Sequence, residues 1–322
     1  MNFKSSIFLI VMLSVPLLGL TQDLPKSLVF REGDKLFASN QYIKAMRYYK
    51  DVLDQEPGHL GALFQMGECY RLTFDYESAL YYYERVAKEA DSRFPLAKFF
   101  YAEMLKHEGE FNLALQAFEE FMDHMKEIKL HEDERYRRYY KQGKIEKEGC
   151  LLALNDLTNP KPDHEFERCS DDINTEYMDF AAFAYGENEE YLCLTSSRSN
   201  GRGNLIDYRF GESFADIYRY EKKGDGWTPY SGSDKLEKVI NTKWGDGSGS
   251  FNRDGTRFYY TNCNDDLGSI CHIFVTTKTK SGWSDPLALG ESINMAGYDS
   301  RHPNVTPTGD TLFFASNRPG GY

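Results

Sequence analysis

The run GDGSGS at positions 245–250 comes nearest in this sequence to a catalytic signature. A serine set between glycines can sit on a sharp strand-to-helix turn and offer its hydroxyl as a nucleophile. The run lacks the GxSxG spacing, and FNRDGTRFYY after it reads as strand, so the resemblance is superficial. His131-Glu132 opens like the zinc-binding HExxH helix, but Asp133, Glu134 and Arg135 follow where the second histidine belongs. The other histidines, His59, His107, His124, His164, His272 and His302, are scattered. Gly201-Arg202-Gly203 is a glycine-rich loop with no helix after it, which argues against a phosphate cradle. Asn264-Asp265-Asp266 and Asp171-Asp172 bring oxygens together without the alternating spacing of a calcium loop, so both read as solvated turns. The sequence therefore predicts no catalytic residues, no metal site and no cofactor.

Composition narrows the partners. Acids outnumber bases 50 to 38, giving a formal charge of −12. With no basic block, nucleic acid is excluded as the main partner. Hydrophobic residues make up 41% of the chain, enough for a packed core. Positions 1–21 differ from the rest: Lys4 is the sole charge, and 7–20 is apolar apart from Ser14, Pro16 and Gly19. That run is too short and interrupted to span a bilayer and has the form of an export signal cleaved after Thr21. No cysteine lies near that point, which argues against a lipid anchor, and the mature chain shows no transmembrane run. An exported compartment permits disulfides. Cys263 and Cys271 flank a short loop between two strand-like runs and are the candidate pair. Cys69 reads as a small buried apolar residue, and Cys150, Cys169 and Cys193 cannot be paired from spacing.

The elements that would position any site come in two tandem arrays. Ala45, Ala79 and Ala114 are spaced by 34 and 35 residues. Each has an aromatic four residues later (Tyr49, Tyr83, Phe118) and another three residues earlier (Tyr42, Tyr76, Phe111). Gly33 and Gly67 recur at 34, with Ala102 in the third copy. Small residues let two helices approach, and the aromatics fill the flanks. Ser39-Asn40-Gln41, Thr73-Phe74-Asp75 and Glu108-Gly109-Glu110 read as the intervening turns. The pattern resembles the tetratricopeptide repeat, a helix-turn-helix unit. Residues 133–157 read as a further helix capping the stack. The resemblance implies a protein-binding groove lined by the first helices, presenting Phe30, Asp34, Phe64, Glu68, Arg71, Phe99, Glu103 and Lys106. The same recurrence of Phe30, Phe64 and Phe99 also suits core packing.

Asn159-Pro160-Lys161-Pro162 breaks the helical pattern. Beyond it, Ile173-Asn174, Ile240-Asn241 and Ile293-Asn294 each open a unit holding a strand pair. The pairs are FAYGENEEYLCLTSSR, FNRDGTRFYYTNCN and VTPTGDTLFFASNR. Asp216-Ile217-Tyr218 and His272-Ile273-Phe274 supply a further strand in two units, and Gly226-Trp227 and Gly282-Trp283 follow them. NGRGNLIDYRFGES lengthens the first unit. Alternating strands with Asp-Gly or Gly-Asp turns, repeating at 54 residues from Gly255 to Gly309, predict propeller blades. The units resemble the TolB-type, WD-like propeller repeat, and SINMAGYDSRHPNVTPTGDTLFFASNRPGGY is the nearest match. The second unit departs from the pattern at Cys263-Asn264, and the first has Asn188-Glu189 at its turn. Ser197-Arg198 and Asn317-Arg318 recur at one blade position, which suggests that each arginine bonds a neighbouring blade.

The expected architecture is α then β: a signal peptide at 1–21, a tetratricopeptide solenoid with capping helix at 22–158, a linker at 159–170, and an incomplete β-propeller at 171–322. The third unit stops before its outer strands, so the sequence reads as the N-terminal part of something longer. This order resembles exported bacterial cell-envelope proteins that often carry a C-terminal OmpA-like peptidoglycan-binding domain, some of them accessory to type IX secretion and gliding. The resemblance implies a non-enzymatic scaffold in the periplasm, at the outer membrane or wall. It would bind envelope proteins, and peptidoglycan only through a domain absent from this sequence. Two alternatives come from other classes: a propeller gating an exported serine peptidase, and a glycan-binding propeller using Trp227, Trp244 and Trp283.

Overall fold

The computed structural model describes residues 25–89, 93–159, 167–199, 201–203, 205–264 and 270–320. The expected signal at 1–21, most of the linker with its two prolines, His164, and Asp265-Asp266 lie outside the described residues.

Three helical hairpins stack in chain order: α1 (Lys26–Ala38) with α2 (Tyr42–Gln55), α3 (Leu60–Leu72) with α4 (Tyr76–Lys88), and α5 (Ala97–His107) with α6 (Phe111–Glu127). A longer helix, α7 (Glu134–Thr158), packs on α6 and α5. The Ala45, Ala79 and Ala114 side chains are fully buried, as are Tyr49, Tyr83 and Phe118. A Cβ on Gly33 would come 2.7 Å from the Tyr49 ring, and one on Gly67 would come 2.9 Å from Tyr83. Glycine at these places is thus a packing requirement: the tyrosine ring lies in the space a methyl would take. Each turn between paired helices is closed by one residue in the left-handed region, Asn40 (φ 58°), Phe74 (φ 65°) and Gly109 (φ 79°). Asp75 caps α4 by accepting from the Ser78 amide at 3.0 Å, and Asp133 caps α7 from the Arg135 amide.

The second array is antiparallel throughout. The first unit contains β1 (Asp179–Tyr185), β2 (Tyr191–Ser196), the small hairpin β3 (Ile206–Asp207) and β4 (Glu212–Ser213), then β5 (Asp216–Lys223) and β6 (Gly226–Pro229). Its main sheet runs β1-β2-β5-β6, and the β3–β4 hairpin stands apart from it. A short helix, α8 (Leu236–Ile240), leads into the second unit of β7 (Gly245–Phe251), β8 (Arg257–Cys263), β9 (Cys271–Thr279), β10 (Gly282–Trp283) and β11 (Leu287–Ala288). Its sheet runs β10-β9-β8-β7, with β11 also on β9. β12 (Ser300–Val305) and β13 (Leu312–Ser316) form a two-stranded third unit. The units are thus successive meanders, and a complete propeller is not present among the described residues. Neighbouring units meet through their first strands, β1 on β7 and β7 on β12.

One device repeats along that contact. Each first strand bulges at a residue with positive φ: Ala181 (51°), Ser248 (48°) and His302 (55°). The bulge turns an amide toward the preceding unit. Ser248 N–H donates to Thr195 Oγ1 at 2.9 Å, and His302 N–H donates to Thr261 Oγ1 at 3.0 Å. A bulge re-aims the backbone in this way. Gly247 sits beside it because its Cβ would lie 2.6 Å from the Thr195 methyl.

Candidate functional site

The first helices present the residues expected to line a groove, and most of them satisfy one another. Asp34 accepts from Tyr49 Oη at 2.9 Å and from Gln65 at 3.3 Å. One repeat later, Glu68 accepts from Tyr83 Oη and from Arg71 at 2.8 Å. In the third repeat Phe118 replaces the tyrosine, and no hydrogen bond to Glu103 is present among the described residues. Burial pushes the Glu103 carboxyl up. Arg71 opposes that shift, Glu146 and Glu68 add to it, and Lys106 opposes it more weakly. Lys106 reaches α7, pairing with Glu146 at 2.5 Å. Arg71 also lies over the Phe100 ring at 4.6 Å.

The three phenylalanines divide. Phe99 is core: 1% exposed, it meets Phe118, Phe121 and Tyr139 edge-on. Phe64 is half-buried between Tyr83, Phe94 and Phe100, and Phe30 between Tyr49 and His59. The structure thus brings Asp34, Glu68, Arg71, Glu103 and Lys106 into one polar row across α1, α3 and α5, backed by aromatics. The tyrosine hydroxyls that hold the row were not singled out from sequence. They could have been, because Asp34/Tyr49 and Glu68/Tyr83 keep a fixed separation of 15 residues.

Among the β units, GDGSGS is the first strand of the second. Ser248 and Ser250 are buried, and Ser250 Oγ accepts from the Val305 amide at 3.2 Å. No histidine bonds either hydroxyl among the described residues. Arg198 and Arg318 act within their own unit, where the sequence suggested a neighbouring one. Arg198 donates to the Asp172 and Ile173 carbonyls, and Arg318 to those of Ser292 and Ile293. Each guanidinium therefore closes the turn that opens its own unit. The second unit has Asn264 at this place, and Arg202 from the first unit's insertion donates instead to Lys238 and Asn241 carbonyls. Cys263 and Cys271, directly paired in the β8–β9 ladder, form a disulfide there. Cys69, Cys150 and Cys193 are buried without disulfides, and Cys169 is half-buried.

The Asn of each Ile-Asn pair also has a specific task. Asn241 Oδ1 accepts from the Ile217 amide at 3.0 Å and its Nδ2 donates to the Ile217 carbonyl at 2.9 Å. Asn294 does the same to Ile273 at 2.8 and 2.9 Å. The tryptophans pack inward: Trp227 on the Ile173–Leu194–Tyr220 cluster, Trp283 against Phe251, and Trp244 edge-on to Phe214.

The two arrays touch through the β3–β4 hairpin. Tyr208 carbonyl accepts from the Ile43 amide at 3.2 Å, and Lys44 Nζ lies 3.6 Å over the Tyr208 ring. Phe74 and Phe210 stack with centroids 5.8 Å apart and planes 14° from parallel. Beside this contact, Phe74, Phe180, Phe210 and Phe214 border a cavity of about 610 Å³ that reaches the first strands of the blades. A second cavity of about 930 Å³ lies toward the far ends of those strands, lined by Tyr185, Tyr191, Tyr230 and Trp283 among others.

No protein-family profile matches the sequence, and no curated protein does. Similar solved structures exist at low identity. The Yersinia enterocolitica type III secretion translocator chaperone SycD is 14% identical with a TM-score of 0.36, covering 42% of this chain and 92% of its own. The Sgt2 tetratricopeptide domain of Aspergillus fumigatus is 17% identical with a TM-score of 0.35, covering 45% and 90%. The TPR2B-domain:pHsp70 complex of yeast Sti1 is 14% identical with a TM-score of 0.33, covering 38% and 97%.

Proposed function

We propose that this chain is a non-enzymatic protein-binding scaffold whose solenoid holds a partner on the face of its first helices. One observation carries the reading: in the polar row of Asp34, Glu68, Arg71, Glu103 and Lys106, Tyr49 bonds Asp34, Tyr83 bonds Glu68 and Arg71, and Glu146 pairs with Lys106. A row held by buried tyrosines and a cross-helix ion pair is preorganised, which lowers the ordering cost of binding. The resemblance in sequence to envelope proteins with tetratricopeptide repeats and TolB-type blades supports placing the scaffold in the periplasm, at the outer membrane or wall, in a secretion- or peptidoglycan-associated assembly. The peptidase and glycan alternatives draw less support, since Ser248 and Ser250 are buried and Trp227 and Trp244 pack on neighbouring side chains.

The test compares envelope extracts of the source organism probed with the chain and with an Arg71→Glu/Lys106→Glu variant of matched helicity. The account expects a protein partner retained by the first and reduced at least about tenfold with the second. Equal retention by both would overturn it, as would peptide hydrolysis by the purified chain.

A further inference from the structure

The turn that joins α3 to α4 holds a residue its backbone disfavours. Its counterparts in the first and third repeats are Asn40 and Gly109, the two residue types that most readily adopt a left-handed conformation. Phe74 adopts φ 65° in the same place. A bulky aromatic there is an outlier, and such strain persists where the surroundings or a function over-determine it. The solenoid itself gives Phe74 little: the side chain is 57% exposed, and its one ring neighbour on the helices, Tyr76, lies at 6.4 Å. Its other ring contact is the stack on Phe210 of the blade insertion.

The insertion is equally specific. The first unit carries it and the second unit does not. Glu212 ties it to the first sheet by accepting from Ser197 Oγ and the Met178 amide, and the Phe214 amide closes the hairpin on itself by donating to the Leu205 carbonyl. Its tip then reaches the solenoid at three adjacent points: Tyr208 on Ile43 and Lys44, Phe210 on Phe74, and Gly211 against Ile43. Gly211 has φ 80°, and a Cβ there would lie 3.2 Å from the Ile43 side chain.

We infer that Phe74 is kept against the preference of its turn because it receives the 205–214 hairpin, which latches the solenoid to the blades in one fixed orientation. Relative motion is the default for two domains that share a small interface, so a specific anchor is what fixes their orientation. The latch is independent of what the solenoid binds. It means that a partner held on the first helices is also held at a set place relative to the blades.

The experiment measures a distance distribution by pulsed electron resonance in the full chain. Spin labels go on Lys50→Cys in α2 and Lys222→Cys in β5, both exposed, in a Cys169→Ser background. The parent is expected to give one narrow distribution. Phe210→Ala should lower the docking equilibrium by about 2- to 10-fold, the range for one aromatic pair, and Tyr208→Ala/Phe210→Ala should broaden the distribution fully. Phe74→Asn and Phe74→Gly install the residues that the other turns use. They should broaden it too, while leaving the helical unfolding midpoint unchanged or higher. A narrow distribution in all these variants would overturn the latch. A lower helical midpoint in Phe74→Asn would overturn the assigned role of Phe74, by showing that it is kept for solenoid packing.

Discussion

Asp179 and Asp246 occupy the same place in successive units, yet substitution to asparagine should have opposite effects. Asp179 accepts from the Thr175 amide and hydroxyl at 2.6 and 2.7 Å and from Arg198 at 3.0 Å. Asp246 accepts from the Thr242 amide and hydroxyl at 2.5 and 2.8 Å, but its other oxygen meets Asn262 at 2.6 Å, because the arginine place is Asn264. Burial pushes Asp246 up to about 7; the bonds from Asn262 and Thr242 oppose this, and the nearby Asp216 carboxylate adds to it. At Asp179, burial also raises the carboxyl, but the bonds from Ser196, Thr175 and Arg198 outweigh it and hold the group below its ordinary value. A carboxyl that titrates higher folded than unfolded binds more protons in the folded state, so stability falls as pH rises between the two values. From 3.8 to about 7, at about 1.4 kcal/mol per pH unit, the loss is at most about 4 kcal/mol. Asp246→Asn removes this charge and keeps the shape, and the Asn262 amide can rotate to accept from it. Relative to the parent, the variant should therefore gain stability progressively from pH 4 to pH 7 and level off above. Asp179→Asn should instead lose stability at neutral pH, because Arg198 is left with one fewer anion. Urea unfolding followed by tryptophan fluorescence reads this directly, since Trp227, Trp244 and Trp283 all lie in the first two β units. An Asp246→Asn curve parallel to the parent's from pH 4 to 8 would refute the reasoning.

Gly67→Ala should cost about 1–3 kcal/mol by driving the new methyl into Tyr83, whereas Gly58→Ala, with open space around it, should be near neutral; thermal melts by far-ultraviolet dichroism separate them. Phe118→Tyr alone should give little, because Ala102 stands where the other repeats have glycine. Ala102→Gly/Phe118→Tyr should recover a hydroxyl bond to Glu103, appearing as a favourable coupling of about 1 kcal/mol in a double-mutant cycle. Asn241→Ala leaves both polar groups of Ile217 unpaired and should cost about 2–4 kcal/mol, seen as faster amide exchange across β5. Reducing the Cys263–Cys271 disulfide should raise exchange in β8 and β9 before it does so in β2 and β5, whose unit keeps its own Arg198.

The helical half was legible because its signals are local and periodic: alanine and aromatic spacings of 34 and 35 became the buried contacts between paired helices. The order of the strands and the three unit openings were also readable, since Ile-Asn and the turn residues repeat. Three features escaped, each because it depends on what the chain brings together from afar. The arginines at the blade tips close their own turns 25 and 26 residues upstream, a reach that spacing alone does not reveal. Arg202 carries only loop signals in sequence, yet it donates to the Lys238 and Asn241 carbonyls beside the unit that lacks the arginine. Phe74 looked like ordinary turn sequence until its left-handed φ and its stack on Phe210 gave it a role. Of the groove residues, the polar ones share a face, while Phe99 belongs to the core because Tyr139 of α7 covers it.

The scaffold reading stands or falls on which face of the solenoid meets another protein. A photo-crosslinking amino acid placed singly in the intact chain, in cells of the source organism, tests this position by position. The account predicts adducts to one protein from Gln65 and Glu103 on the first helices and none from Tyr81 or Glu84 on α4. Adducts from the α4 positions alone, or from none of the four, would contradict it.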